Sequence, residues 1–408
     1  MCRVKPNLSP RRGLRLWPVG PVLTLAFITA IAVAGAVFFT AWDLLGVQGL
    51  KPERRVDSKT LFDLVKLSFG VVAGAGALVA LIVAYRRQRV DEDAALREAT
   101  RLHTERFTTA VSQLGEESAA VRLGGVHALA GLADDAPTRD LRQTCIDVLC
   151  AYLRLPYTAE ASIPADDAEA RHAYLALREV RHTIIRLIRD HLRLTPDHPR
   201  SWQGHDFDFS NVVFDGGDWT RARFSGGHVA FDGARFCGGD LSFGGAEFSG
   251  GQVSFGAAEF VDGHVHFMFA EFSGGEVIFE EAQFSGGQVS FTGAQFSGGQ
   301  VFFDTAEFSG CDVSFNAAAF SKGKITFVSD FSGGKVSFNN AQFSGCEVSF
   351  DRSEFTGCEV SFDGTAFSGG TIDLRQAVGN APDGLPPADV RPLPSSLLLP
   401  ESWHQPTV

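Results

Sequence analysis

The side chains able to do chemistry are few and far apart. His264 and His266 flank Val265 in a stretch of alternating character, so both imidazoles face one side, as metal ligands would. No third ligand stands near them in the sequence, whereas a structural zinc takes four. His103, His127, His172, His182 and His191 fall in a region of helical period, and none belongs to an HExxH pair. The cysteines are Cys2, Cys145, Cys150, Cys237, Cys311, Cys346 and Cys358, with no paired CxxC spacing. Free thiols in a reducing compartment fit them best. Walker-type loops, GxSxG and the calcium-binding GGxGxDx turn are absent. The expectation is a protein that is not an enzyme and that needs no cofactor or metal.

Carboxylate is the one chemical group that recurs in order. Residues 205–375 hold 23 Asp and Glu against 8 Lys and Arg, a net of −15 in a chain of −12, so the acidity sits in this region. Glu259, Glu307, Asp330 and Glu354 each stand just before a phenylalanine at related positions and form a candidate acidic interaction surface. A regular acidic rod repels nucleic acid, so no direct nucleic-acid binding is expected. It suits a protein partner with a basic surface, although acidity also keeps a stacked repeat soluble and monomeric.

What positions those carboxylates is a repeat. Phe numbers 36 and Gly 44 against 4 Tyr, a bias that points to repetition rather than an ordinary core. From Phe224 to Phe367 the phenylalanines of the repeat are spaced alternately seven and five apart, except for a step of four between Phe327 and Phe331; Phe269 and Phe302 fall between these positions. The unit is A-[EQ]-F-S-G-G-x-V-x-F-x-x. Within it Ala and Phe flank an outward Glu or Gln, and Val and Phe flank an outward residue, often Ser. Period two means extended chain with one buried face, and Gly-Gly supplies a corner. Stacking such units gives a β-solenoid with Phe ladders along its axis. A twelve-residue loop is too narrow for its own side chains, so two units make a coil of about 24 residues with four sides. Roughly twelve units then give about six coils at ~4.8 Å each.

Before these units stands "DFSNVVFDGGDWTRARFSG", with Phe209, Phe214, Trp219 and Phe224 each five apart and Val212, Gly217 and Ala222 two residues before the last three. This stretch, and the later "AEFSG" segments, resemble the pentapeptide-repeat family. The resemblance covers about 165 residues and implies a right-handed four-sided β-helix with Phe or Leu at each inner face. Phe207 is too large for the small slot of the family's unit, and the two extra residues in each later unit depart from the family's usual coil. The resemblance also implies a second function, since some soluble members imitate duplex DNA and bind DNA gyrase. A DNA-mimicking regulator of a topoisomerase or another nucleic-acid enzyme is therefore the alternative reading.

The rest of the chain supplies an anchor and a connector. Residues 20–42 and 67–85 are free of charge over lengths that span a bilayer, with Ala26, Ala30 and Ala34 in the first and Gly70 and Gly74 in the second. They read as a transmembrane hairpin. Arg3, Lys5, Arg11, Arg12 and Arg15 before it, and Arg86, Arg87 and Arg89 after it, place both termini in the cytoplasm of a multi-pass protein of the cell membrane. Residues 91–200 carry the helical period: a continuation closed by Gly115, a HEAT-like pair over 118–155 with a Thr cap and a stop at Pro156, and then one long helix or two. The expected domains are a basic N-terminus (1–19), the hairpin (20–85), a small α-helical domain (86–200), the β-solenoid (201–375) and a Pro-rich tail (376–408). The tail is expected to be disordered except for "SSLLLPESW" (395–403), which would cover the open end of the last coil. This order of parts resembles membrane-anchored members of the family from actinobacteria. Together these readings give a membrane-bound, non-enzymatic scaffold that presents an acidic cytoplasmic surface for protein binding.

Overall fold

The computed structural model describes residues 57–160, 163–164, 166–386 and 394–404, with isolated positions between 24 and 43. The expected first span (20–42), its pairing with the second, and the basic N-terminus lie essentially outside the described residues. The chain divides into two compact units, Met1–Ala99 and Thr100–Val408.

Helix α1 runs unbroken from Ser58 to Leu114 over 57 residues. It contains the apolar stretch 67–85 and is long and apolar enough to cross a bilayer. Arg86, Arg87 and Arg89 follow on the same helix, and it stops at Gly115, whose N–H bonds the Val111 carbonyl at 3.2 Å. Two shorter helices come next, α2 (Ala119–Asp134) and α3 (Arg139–Leu153). The Thr138 hydroxyl caps α3 by accepting from the Leu141 N–H. Helix α4 is a single element, Ala168–Arg193, capped by Asp167. Val126, Leu129, Ile146, Leu149, Val180, Ile184 and Ile188 form the buried seam of this bundle. Gly125 lets the α1 and α2 backbones meet, since a Cβ there would fall 2.7 Å from the Leu114 nitrogen.

The solenoid makes about eight parallel turns from Phe207 to Leu398. Register shows the coil size directly. Gln283 pairs with Glu307 and with Glu259, a step of 24 residues. The first coil is shorter, because Phe207 pairs with Val229, a step of 22. Phe207 therefore occupies the valine column rather than the small slot, which explains how so large a residue is accommodated. Glu307 pairs with Asp330, a step of 23, so the missing residue between Phe327 and Phe331 is absorbed locally. There Ser329 takes the alanine slot and its hydroxyl donates to the Phe303 carbonyl one coil below.

Four ladders of stacked rings fill the core. Phe255 lies 4.7 Å from Phe279, Phe260 4.6 Å from Phe284, Phe267 4.8 Å from Phe291, and Phe272 4.7 Å from Phe296. Their planes are within 6° of parallel. Between ladders the rings meet edge to face, as Phe279 and Phe291 do at 6.0 Å and 84°. Both arrangements suit the ring quadrupole and add about 0.5–1.5 kcal/mol per pair beyond burial. The second glycine of each Gly-Gly is left-handed where it occurs, and coils crowd it. At Gly251 φ is +72°, and a Cβ would fall 2.4 Å from the Gly227 carbonyl oxygen.

Both ends of the stack are covered. At the N-terminal end Arg181 donates to the Val213 carbonyl (2.7 Å), Arg193 to Thr220 (2.6 Å) and Gln143 to Asp206 (2.7 Å). At the other end Leu397 and Leu398 pair with Ile372 and Asp373, Trp403 packs on Phe355, and its indole N–H bonds the Gly379 carbonyl at 3.0 Å. Residues 376–386 do not behave as a loose tail. They continue the winding, with Val378 in register with Glu354 and Asp383 bridged to Ser361. This coil and the short first one raise the count above the six coils expected from the twelve-residue units.

Candidate interaction surface

The alternation of the repeat decides which side chains reach solvent. In the segment 307–314 Phe308 and Val313 are buried while Glu307, Ser309 and Asp312 face out. The 24-residue coil then places outward residues in columns. One column reads Val213, Arg235, Glu259, Gln283, Glu307, Asp330, Glu354 and Val378. All the carboxylates singled out above fall in it. Glu307, Asp330 and Glu354 are exposed and occupy consecutive coils, about 4.8 Å apart.

Their electrostatic settings differ. Glu259 is half-buried and pairs with Arg235 at 3.4 Å. Glu307, Asp330 and Glu354 have no ion pair among the described residues. Elsewhere on the surface opposite charges meet along columns, Arg223 with Glu247 at 3.1 Å and Lys335 with Glu359 at 3.3 Å. Within this column the uncompensated run therefore lies past Gln283. Corner residues Glu280, Glu281 and Asp304 lie beside it in sequence and add to the same charge.

The other chemically able groups are occupied or isolated. The His264 and His266 rings stand 5.9 Å apart, facing out as expected, and no cluster of three or more metal-ligating side chains occurs among the described residues. His103 is buried with Nε2 at 3.1 Å from the Leu132 carbonyl; His127 and His172 are exposed. His191 stacks on Trp202 at 4.0 Å and pairs with Asp134 at 3.0 Å. Cys311, Cys346 and Cys358 sit in the second-glycine slot, yet none takes a left-handed φ, and the first two turn inward and are fully buried. Burial pushes the thiols of Cys311 and Cys346 up to about 12 and that of Cys358 to about 11, so they remain protonated and poor nucleophiles. Cys346 and Cys358 lie on different sheets, while Cys311 and Cys358 share a column with Gly334 between them.

One polar cluster escapes sequence reasoning. Asp215, in the "FDGGD" turn of the first coil, is buried. It accepts hydrogen bonds from the hydroxyls of Tyr157 (2.5 Å) and Tyr174 (2.6 Å) and lies 3.3 Å from His182 Nε2 and 3.5 Å from Arg178. Burial alone would raise its carboxyl, but the bonds from His182, Tyr157 and Tyr174 hold it well below the usual carboxylate range. Burial and the Asp215 charge push both phenols upward. Arg181 beside them is also buried; it donates to the Leu153 carbonyl at 2.6 Å and covers the Tyr157 ring at 4.1 Å. A cleft of about 350 Å³ opens between Pro164 and Leu177, and both tyrosines line it with their hydroxyls committed to Asp215. This arrangement fastens helix to coil, which is a structural task. No family model, curated protein or solved structure matches the chain.

Proposed function

We propose that the chain is a membrane-anchored, non-enzymatic scaffold of the pentapeptide-repeat type, whose right-handed, four-sided solenoid offers an acidic cytoplasmic face to basic protein partners. The observation that carries this reading is the run Glu307–Asp330–Glu354, exposed and unpaired on three consecutive coils. Like charges held about 4.8 Å apart on a rigid frame repel one another, and a basic surface relieves that repulsion on binding. The anchor would be the apolar part of α1 with Arg86, Arg87 and Arg89 at its cytoplasmic border, joined to the first span, with both termini in the cytoplasm. The buried, protonated thiols of Cys311 and Cys346 and the engaged rings of His103 and His191 support a role without catalysis. The DNA-mimic alternative receives less support, because the pairs Arg235–Glu259 and Lys335–Glu359 interrupt the charge that a phosphate row keeps continuous.

The test uses the full chain in phosphatidylcholine nanodiscs and a fluorescent oligolysine peptide. Binding that falls about tenfold in the triple variant Glu307→Gln, Asp330→Asn, Glu354→Gln is the expected result. Unchanged binding removes the acidic column from the interface. A reporter fused after Val408 should read as cytoplasmic, and an external signal would overturn the topology.

A further inference from the structure

From Ala230 to Asp373 the column that follows each buried valine or isoleucine is built from small or polar residues at every coil except two. It reads Ala230, Ser254, Ile278, Phe302, Thr326, Ser349 and Asp373, in direct register. Ile278 and Phe302 are neighbours on consecutive coils. Their inward neighbours, Val277 with Phe279 and Val301 with Phe303, already fill the core. Both side chains therefore lie on the outer face, half-buried, and Phe302 stacks on no other ring among the described residues. The fold does not require them, since serine and threonine serve the same slot one coil away on either side.

Carboxylates surround this pair. Glu276 stands two residues before Ile278 on the same face, Glu280 and Glu281 occupy the following turn, and Asp304 follows Phe302, with Glu307 beyond it. None of these has an ion pair among the described residues. Glu276 accepts from Gln252 and Asp304 from Thr326, both uncharged. Lys324, in the column of Glu276, is the nearby cation. An apolar centre with a charged rim is the anatomy of a protein interface, and aromatic side chains at such centres carry much of the binding energy. The acidic rim repels nucleic acid and anionic lipid alike.

We infer that the outer face around Ile278 and Phe302 docks a basic protein segment that carries a large apolar side chain, which seats on this pair while its cations meet Glu276, Glu280, Glu281 and Asp304. The inference rests on the scaffold reading and locates its anchor point.

The probes are two short Arg/Lys peptides, one with tryptophan at its centre and one with serine, offered to the full chain in phosphatidylcholine nanodiscs, with empty nanodiscs as the blank. The tryptophan peptide should bind about tenfold more tightly. The variant Ile278→Ser, Phe302→Thr, which installs residues the column already uses, should erase that preference and leave the serine peptide unaffected. If both peptides bind alike and the variant changes nothing, this docking site is rejected while the acidic scaffold stands. If neither peptide binds, both readings fall. Binding of duplex DNA to this face, or self-association of the chain that the same variant abolishes, would assign it to a different occupant and overturn the inference.

Discussion

At Val213–Asp218, in the first coil, one turn carries a buried aspartate and is held by two tyrosines, a histidine and three arginines, Arg178, Arg181 and Arg189, from the helical region. At Gln283–Gln288, farther along the same sheet, the equivalent stretch is held by backbone pairing to the coils on either side and by rings at 4.6 and 4.7 Å above and below Phe284. The first arrangement occurs once and depends on particular partners. The second is copied coil after coil and depends only on keeping the period. An interior coil finds its template in its neighbours. The end coil has none on one side and needs side chains to satisfy its open carbonyls.

The largest effect is expected inside the stack. Phe291→Ala removes a fully buried ring from between Phe267 and Phe315 and should cost about 3–5 kcal/mol in chemical denaturation. Phe279→Ala and Phe303→Ala should agree with it within about 1 kcal/mol, because the rungs are equivalent. Ser290→Ala, on the outer face, should change stability by about 0.5 kcal/mol or less. Equal losses at Ser290 and Phe291 would contradict the alternation that builds the solenoid.

At the junction Asp215→Asn should cost about 3 kcal/mol, because Arg178 and the two phenols lose the charge they surround. The loss should appear as separate melting of helices and coils, followed by helical and strand circular-dichroism signals. A single transition shifted no more than by a surface substitution would mean that the cluster does not join the two parts. The Asp215 carboxyl is depressed, so its contribution is full above the ordinary value of 3.8 and declines as pH drops below it.

This contrast also marks where the sequence was legible. The ladders, the outward columns and the 24-residue coil follow from the spacing of phenylalanines, because each interior coil repeats its neighbour. Glu259, Glu307, Asp330 and Glu354 were placed in one column by that arithmetic alone. The Asp215 cluster was hidden, because Tyr157, Tyr174 and His182 lie 58, 41 and 33 residues away and "FDGGD" reads as a plain turn. The end coils are hidden in the same way: the pairings of Phe207 with Val229, Val378 with Glu354 and Leu397 with Ile372 carry no repeated phrase and are set by tertiary contacts.

A second pH window separates the junction from the stack. Burial, with Arg139 and Arg142 nearby, lowers His205 from 6.5 to about 4, and its Nδ1 lies 2.9 Å from the Gln143 side-chain oxygen. The unfolded chain takes up this proton below pH 6.5 while the folded chain resists until about 4. Stability should therefore fall by about 3 kcal/mol as pH drops through that window, before the acid loss assigned to Asp215 begins. His205→Gln should flatten the slope between those values. If the slope is unchanged, the loss belongs to another group.

The smallest effect carries the sharpest sign. Asp330 stands between Glu307 and Glu354, whereas Glu259 stands beside Arg235. Like charges opposed across parallel strands destabilise by about 0.2–1 kcal/mol. Asp330→Asn should therefore stabilise the solenoid by about 0.5 kcal/mol at low salt. Glu259→Gln should destabilise it by a similar amount, since it removes an exposed ion pair worth about 0.2–1 kcal/mol. Both effects should vanish near 1 M salt, where the screening length is about 3 Å and shorter than the spacing between coils. Thermal melts of the two variants across a salt series decide the matter. Opposite signs that converge with salt would mean that folding gains nothing from the unpaired carboxylates, which leaves solubility and partners to account for them. The same sign in both would mean that Asp330 has a stabilising role within the stack, and the acidic column would lose its claim as a surface kept for binding.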